Sequence, residues 1–215
     1  MRTHDAPTPE AIAAARRRIA GSVVRTPTIR LEVDAPVEVW LKLENLQPIG
    51  SFKLRGALNA MRSLPPDALR AGVYTASAGN MAQGVAWCAR ELGIPCTVLV
   101  PAHAPRTKLD AIGRLGARTV TLSFEEWWRV LVENGREGMA GAFIHPVSNA
   151  DVIAGNATIG AEIAEDLGTV DAVFVPYGGG GLSTGIAAAL ATLTPATRVF
   201  ACEVETAAPL AASLA

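Results

Sequence analysis

With 215 residues, half of them apolar and 18% charged, the chain can bury a sizeable core as one large domain or two small ones. Its 19 basic residues against 20 acidic ones leave a net charge of −1, and no basic run extends beyond Arg16-Arg17-Arg18. That balance speaks against a nucleic-acid footprint or a membrane-surface patch and leaves small molecules as the default partners.

Residues 1 to 20 carry charges throughout and lack an apolar segment of signal-peptide length. Thr8-Pro9-Glu10 supplies an N-cap, a proline at the first helical position and an early acid, which predicts a helix through about Ile19. The run VEVWLKLE at 37 to 44 alternates and reads as a strand, and a helix opens near Lys53 after Gly50-Ser51-Phe52. A regular rhythm follows: GVYTA then a helix over 80 to 92, CTVLVP then 105 to 115, RTVTLS then 124 to 134, GAFIHPV then 157 to 167, DAVFVP then 182 to 193, and RVFACEVE. Strands alternating with helices predict an α/β fold with parallel sheets covered on both faces. The uncharged stretch 172 to 197 exceeds membrane length, but Pro176, four glycines and Pro195 divide it into strand, loop and helix. No transmembrane segment is read. Leu64-Pro65-Pro66 and the stretch from His145 to Asp151 interrupt the rhythm and mark boundaries, giving a small lobe over 70–149 and a large lobe from 1–69 and 150–215.

Three loops carry the candidate chemistry. Lys53 at a helix start is opposed by the positive end of the helix dipole, which favours an uncharged or covalently bonded amine, as a Schiff-base lysine requires. TASAGNMAQG (75 to 84) joins a strand to a helix through Ser77, Ala78, Gly79 and Asn80, a turn able to hold a carboxylate or simply to cap a helix. VPYGGGGLSTG (175 to 185) places four glycines before an alanine-rich helix, so that backbone amides can wrap a phosphate. It is not a P-loop, since no Gly-Lys-Ser/Thr follows, and no register gives G-x-G-x-x-G. Glu203, however, stands about where a ribose-binding acid would, which keeps a dinucleotide-binding module as the rival reading. Together the three loops match pyridoxal phosphate, an aldehyde that bonds lysine, carries a phosphate and presents an amino-acid carboxylate to the protein.

Those residues resemble the threonine and serine dehydratases of the tryptophan-synthase-β-like group, whose pattern K-x-E-x-x-Q-x-x-G-S-F-K-x-R-G-A reads here from Lys42 to Ala57. SAGNMAQGVA (77 to 86), HPVSNADVIAGNATIGAEI (145 to 163) and VPYGGGGLSTGIA (175 to 187) are similar to its later motifs. The resemblance implies that Lys53 bonds the cofactor and later removes the Cα proton, that Phe52 packs on the ring and that Asn80 bonds the ring hydroxyl. It implies further that Ser77, Ala78, Gly79 and Gln83 surround the substrate carboxylate and that Gly178, Gly179, Gly180, Gly181 and Leu182 hold the phosphate. The activity so implied is β-elimination of L-threonine or L-serine to a 2-oxoacid and ammonia, by a homodimer; the cysteine usage points to the cytoplasm. Met81 stands where the family has histidine, GNAT at 155 to 158 replaces Gly-Gln-Gly-Thr, and SNAD replaces a more acidic stretch. Ala78 occupies the place where serine racemases of this fold carry a second serine as the opposite-face base, which disfavours racemization.

His145 and His103 have no second ligand at helical or turn spacing and read as structural or surface histidines. Glu203 resembles an acid that helps hold a divalent ion in some relatives, but its acidic partner is missing from 206 to 210, so no metal is expected. Cys88, Cys96 and Cys202 are odd in number and show no C-x-x-C spacing, which fits reduced thiols. Trp127-Trp128 reads equally as core or as a subunit contact. Finally, ETAAPLAASLA ends inside an apparent helix, and the resemblance implies further catalytic-domain elements beyond it, including the partner of the pyridine nitrogen. The large lobe is therefore expected to be incomplete, and the chain alone to be an inefficient enzyme.

Overall fold

The computed structural model describes residues 5–215. Thr8 caps α1 (Pro9–Ile19), its hydroxyl accepting the Ala11 amide at 3.2 Å with Pro9 in the first turn, as the sequence predicts. β1 (Thr28–Leu31) and β2 (Val39–Lys42) pair antiparallel, and the alternation at 37 to 44 predicts only the second of them. A 3-10 turn over Glu44–Leu46 leads to α2 (Lys53–Ser63) and the short α3 (Pro66–Leu69). The chain then runs through β3 (Val73–Ala76), α4 (Asn80–Leu92), β4 (Cys96–Pro101), α5 (Arg106–Arg114), β5 (Arg118–Leu122), α6 (Phe124–Glu133) and β6 (Ala142–Phe143). These strands form a four-stranded parallel sheet in the order β5-β4-β3-β6. Finally α7 (Ala150–Leu167), β7 (Ala172–Pro176), α8 (Gly181–Leu193), β8 (Arg198–Cys202) and α9 (Pro209–Leu214) follow, with β7 and β8 parallel in a two-stranded sheet. The α/β class and the parallel pairing agree with the sequence. Full coverage of both sheet faces does not hold: β3 is buried at all its positions, whereas β8 is exposed at most of its own.

α7 is the spine of the molecule. Every residue from Val152 to Ile163 is buried, and a helix enclosed on all sides reads as small or apolar throughout rather than as a stripe. The sequence places this helix over 157 to 167, whereas it begins seven residues earlier at Ala150, capped by Asn149, whose Oδ1 accepts the Val152 amide at 2.9 Å. Gly155 permits close approach: a Cβ there would lie 2.6 Å from the Arg55 carbonyl oxygen, so α7 and α2 meet backbone to backbone. Gly185 of α8 meets the Ile153 carbonyl in the same way at 2.7 Å.

A buried ion cluster pins this framework. Arg55, 1% exposed, reaches both Glu162 oxygens (2.6 and 2.9 Å) and both Glu44 oxygens (2.7 and 2.8 Å), and donates to Thr158 Oγ1. Lys42 adds a 2.8 Å pair to Glu162. Burial works against the Arg55 charge, but the hydrogen bonds and fields of Glu44 and Glu162 hold its basicity above the usual value. Gln47 closes the cluster by clasping the Val24 backbone, accepting its amide at 3.1 Å and donating to its carbonyl at 2.8 Å. Lys42, Glu44, Gln47 and Arg55, four positions of the motif at 42 to 57, thus bind the lysine helix to α7 and the 3-10 turn.

Elsewhere the ambiguous residues resolve. Trp127 donates to the Leu99 carbonyl at 3.1 Å and packs inward, while Trp128 is exposed. The three cysteines are free: Cys88 is buried, Cys96 half-buried and Cys202 exposed. Burial raises the first two thiols, Cys96 to about 12. Among the described residues, no helix is long and apolar enough to cross a membrane.

Candidate active site

Lys53 opens α2. Gly50 takes φ +68 to turn the chain, and the Ser51 hydroxyl accepts the Lys53 amide at 3.3 Å, so no longer side chain caps the helix in front of it. The Lys53 Nζ donates to the Pro146 carbonyl at 3.0 Å. Burial pushes its basicity down to about 8, since one carbonyl acceptor does not replace the hydration an ammonium loses. The lowered basicity agrees in direction with the helix-dipole expectation, but in the folded protein its cause is burial.

The glycine loop lies between β7 and α8. Gly180 has φ +83 and needs a residue without Cβ. Its carbonyl accepts the Ser183 hydroxyl at 3.0 Å, and the Gly181 carbonyl accepts Nδ2 of fully buried Asn156 at 3.2 Å. Carbonyls are thereby tied inward. Among the described residues, the amides of Gly178 to Leu182 donate to no backbone carbonyl. Free amides at a helix start form an anion cup, and nothing lies within 4 Å of a Cβ built at Gly178, so its side is open. Phe52 and Leu182 pack on one apolar cluster with Ile159, Val175 and Ile186, so the residue before the lysine and the residue after the glycines share a core.

The third loop, between β3 and α4, is held by Ser77, whose amide donates to the Leu99 carbonyl and whose hydroxyl accepts the Gly79 amide at 3.2 Å. The Gly79 N–H is thus already used within the loop. Ala78 packs on the apolar cluster that contains Ala82, Val98 and Val100, Gln83 is half-buried, and Asn80 is exposed at the first position of α4. One turn on, a Cβ at Gly84 would touch the Lys53 carbonyl at 3.4 Å, so α4 and α2 meet at the lysine.

The segment that joins these parts is one the sequence reading treats as a boundary. Pro146 holds the lysine amine; Val147 fills the space over the glycines, where a Cβ at Gly179 would lie 2.5 Å from its Cγ1 and one at Gly181 3.2 Å from its carbonyl oxygen. His145 is buried, as the structural reading expects, and His103 is exposed beside Phe124. Nothing in the spacing signals the role of Val147 or Asn156; only the departure from Gly-Gln-Gly-Thr draws attention to the latter. Glu203 accepts the Leu210 and Ala211 amides at 2.6 and 3.0 Å and so caps α9, an engagement that competes with a ribose hydroxyl or a cation. Among the described residues, no group of three His, Cys, Asp or Glu could hold a metal ion.

This donor set suits one kind of molecule. An amine of lowered basicity attacks an aldehyde, an amide-lined cup takes a phosphate dianion, and the Phe52 side offers apolar surface for a ring between them. The residues present therefore fit pyridoxal phosphate.

Comparison with known proteins agrees. A family model described as pyridoxal-phosphate dependent enzyme matches residues 19–215. The chain is 40% identical over 210 residues to L-threonine ammonia-lyase of Thermotoga maritima, covering 95% of this chain and 52% of that protein. It is also 40% identical over 209 residues to β-hydroxyaspartate dehydratase of Paracoccus denitrificans, covering 93% of this chain and 64% of that one. The solved structure of serine racemase from Dictyostelium discoideum superposes with a TM-score of 0.88 at 35% identity, over 98% of this chain and 70% of that chain. The chain thus spans about half the length of the Thermotoga relative.

Proposed function

The chain belongs to the pyridoxal-phosphate-dependent enzyme family, and on that premise we propose that the protein is an ammonia-lyase removing the β-hydroxyl and amino groups of L-threonine or L-serine. The products are a 2-oxoacid and ammonia. The observation that carries the reading is the Lys53 amine, lowered to about 8 by burial and aimed by the Pro146 carbonyl, beside a glycine loop with free amides.

Bound pyridoxal phosphate supplies an electron sink that acidifies the Cα–H of an attached amino acid. The protein does the rest. Gly178 to Leu182 hold the phosphate through their amides, strengthened by the start of α8. Phe52 flanks the ring. Asn80, at the start of α4, bonds the ring hydroxyl, and Gln83 with the Ser77-Ala78-Gly79 turn takes the substrate carboxylate, the Ser77 hydroxyl giving up the Gly79 amide to it. The Lys53 Nζ, in its uncharged form, would take the proton from the substrate Cα. Residues 70–149 act as a small lobe and 1–69 with 150–215 as a large one, the substrate entering between them.

Substrate choice goes to threonine or serine on the similarity to the Thermotoga enzyme, with β-hydroxyaspartate as the competing acid. The likeness to serine racemase favours a second reading, but Ala78 offers no hydroxyl as a base on the opposite face, so L-serine should give pyruvate with little D-serine. A homodimer in the cytoplasm is proposed as well; Phe124, Trp128 and Val132 form an exposed apolar stripe on α6 that supports self-association.

The test adds pyridoxal phosphate to the purified protein, traps the adduct with borohydride and locates it by mass spectrometry, then follows oxoacid from threonine, serine and β-hydroxyaspartate. A reduced adduct on Lys53, absent in Lys53→Ala, with oxoacid from threonine or serine, is expected. Oxoacid from neither substrate sinks the assignment, and D-serine appearing as fast as pyruvate on chiral chromatography replaces it with racemization.

A further inference from the structure

Building on the cofactor site proposed above, we infer that His145 is a positioning residue that fixes the Lys53 amine and the Gly178 to Gly181 loop relative to one another. The imidazole is 2% exposed. Its Nδ1 lies 3.1 Å from the Val147 amide and 2.7 Å from the Ser148 amide. Both are donors, so Nδ1 is the acceptor and the ring proton sits on Nε2. Nε2 then donates to the Leu131 carbonyl of α6 at 3.2 Å, and Phe143 stands edge-on at 5.8 Å. The ring is held from three directions.

Its grip falls on a turn that touches both halves of the site. Pro146 has no N–H, so the amides of Val147 and Ser148 are the donors that define the turn after it. With both anchored on Nδ1, the Pro146 carbonyl faces the Lys53 Nζ at 3.0 Å and the Val147 side chain lies against Gly179. The lysine belongs to α2 and the glycines to the start of α8, and this turn contacts both. A side chain that anchors the turn therefore sets the distance between the group that bonds the aldehyde and the cup that takes the phosphate.

Removing the acceptor should cost more for a ligand that uses both ends of the site than for one that uses only the amine. The experiment measures borohydride-trapped adduct at Lys53 against concentration for pyridoxal phosphate and for pyridoxal, in the purified parent, His145→Leu and His145→Asn, with thermal unfolding recorded beside it. Asparagine can present its amide oxygen near the Nδ1 position, whereas leucine cannot. His145→Leu should weaken pyridoxal phosphate about tenfold or more, the scale expected of a loosened positioning contact. It should also shrink the preference for pyridoxal phosphate over pyridoxal, and His145→Asn should recover most of both. An unchanged preference in His145→Leu, or equal impairment in His145→Asn, overturns the inference. If His145→Leu does not fold, half-buried Val147 serves instead: Val147→Ala should lower the same preference, and parental behaviour in it overturns the coupling. A parent that forms no adduct at Lys53 instead defeats the cofactor reading on which the inference rests.

Discussion

The β3–β6 sheet and the β7–β8 sheet are built from the same unit, two parallel strands joined by a helix, yet they end in opposite states. Val73 to Ala76 of β3 are all buried, with β4 and β6 on either side and α4 packed over them. In β7 and β8, Phe174 is 70% and Phe200 41% exposed, and the two rings stack on each other 5.2 Å apart. The difference lies in what covers the second face. α8 and α7 cover one side of β7–β8 through Val175, Ile186 and Ile163, while on the other the two phenylalanines stack on each other and the Arg198 guanidinium lies 5.6 Å over the Phe200 ring. Strand residues alone therefore do not decide burial; the same β-rich run is core or surface according to its neighbours.

The largest effect should come from the ion cluster beneath α2. Arg55→Met leaves Glu44 without its buried counter-charge and Glu162 with Lys42 alone, and is expected to cost about 3 to 5 kcal/mol in urea unfolding. A loss under about 1 kcal/mol would show that the carboxylates find other partners. Next, Leu99→Ala, in the fully buried part of β4, should cost about 2 to 5 kcal/mol, whereas Phe174→Ser on the open sheet should change stability by less than about 1 kcal/mol and reduce self-association. Equal losses at the two sites would erase the contrast between the sheets.

At the site itself, Gly179→Ala should weaken pyridoxal phosphate binding, because its Cβ meets the Val147 Cγ1 at 2.5 Å. Overpacking of this kind costs about 1 to 3 kcal/mol. The double variant Val147→Ala with Gly179→Ala should recover part of the loss, and a titration showing simple additivity would separate the two loops. The smallest effect is a titration. Labelling of Lys53 by an amine reagent should rise with a midpoint near pH 8. The folded value lies below that of the unfolded chain, so the native state releases this proton first. The contribution of Lys53 to stability accordingly grows as pH climbs from about 8 to about 10.4, and Lys53→Met should flatten that slope. A Lys53 midpoint at the ordinary lysine value would contradict the burial argument.

Much of this was legible in the sequence because local rules act locally. Thr8-Pro9-Glu10, the strand and helix rhythm and the glycine run each require a particular backbone geometry, and each is found. The three loops singled out for their chemistry, Lys53, the Ser77 turn and Gly178 to Gly181, all stand at helix starts. What escaped depends on contacts distant in the chain. Gly155, in the part of α7 that the sequence expectation leaves out, meets α2, about a hundred residues away in sequence. Arg55 finds its counter-charge in Glu162, more than a hundred residues further along the chain. Pro146 and Val147 look like linker because nothing nearby in sequence says that a lysine and a glycine loop will close on them.

The backbone contact between α7 and its neighbours has one more consequence. Side chains at an interface act as springs, since rotamers shift and let helices slide by tenths of an ångström. Where Gly155 meets the Arg55 carbonyl and Gly185 meets the Ile153 carbonyl, no side chain intervenes. The spacing from the helix that carries Lys53 to the helix that begins the phosphate cup is therefore set by the thickness of bare main chain. Such a gauge has little thermal give, so changes that alter what binds at the proposed site should collect in the loops at its two ends and leave the helix between them untouched.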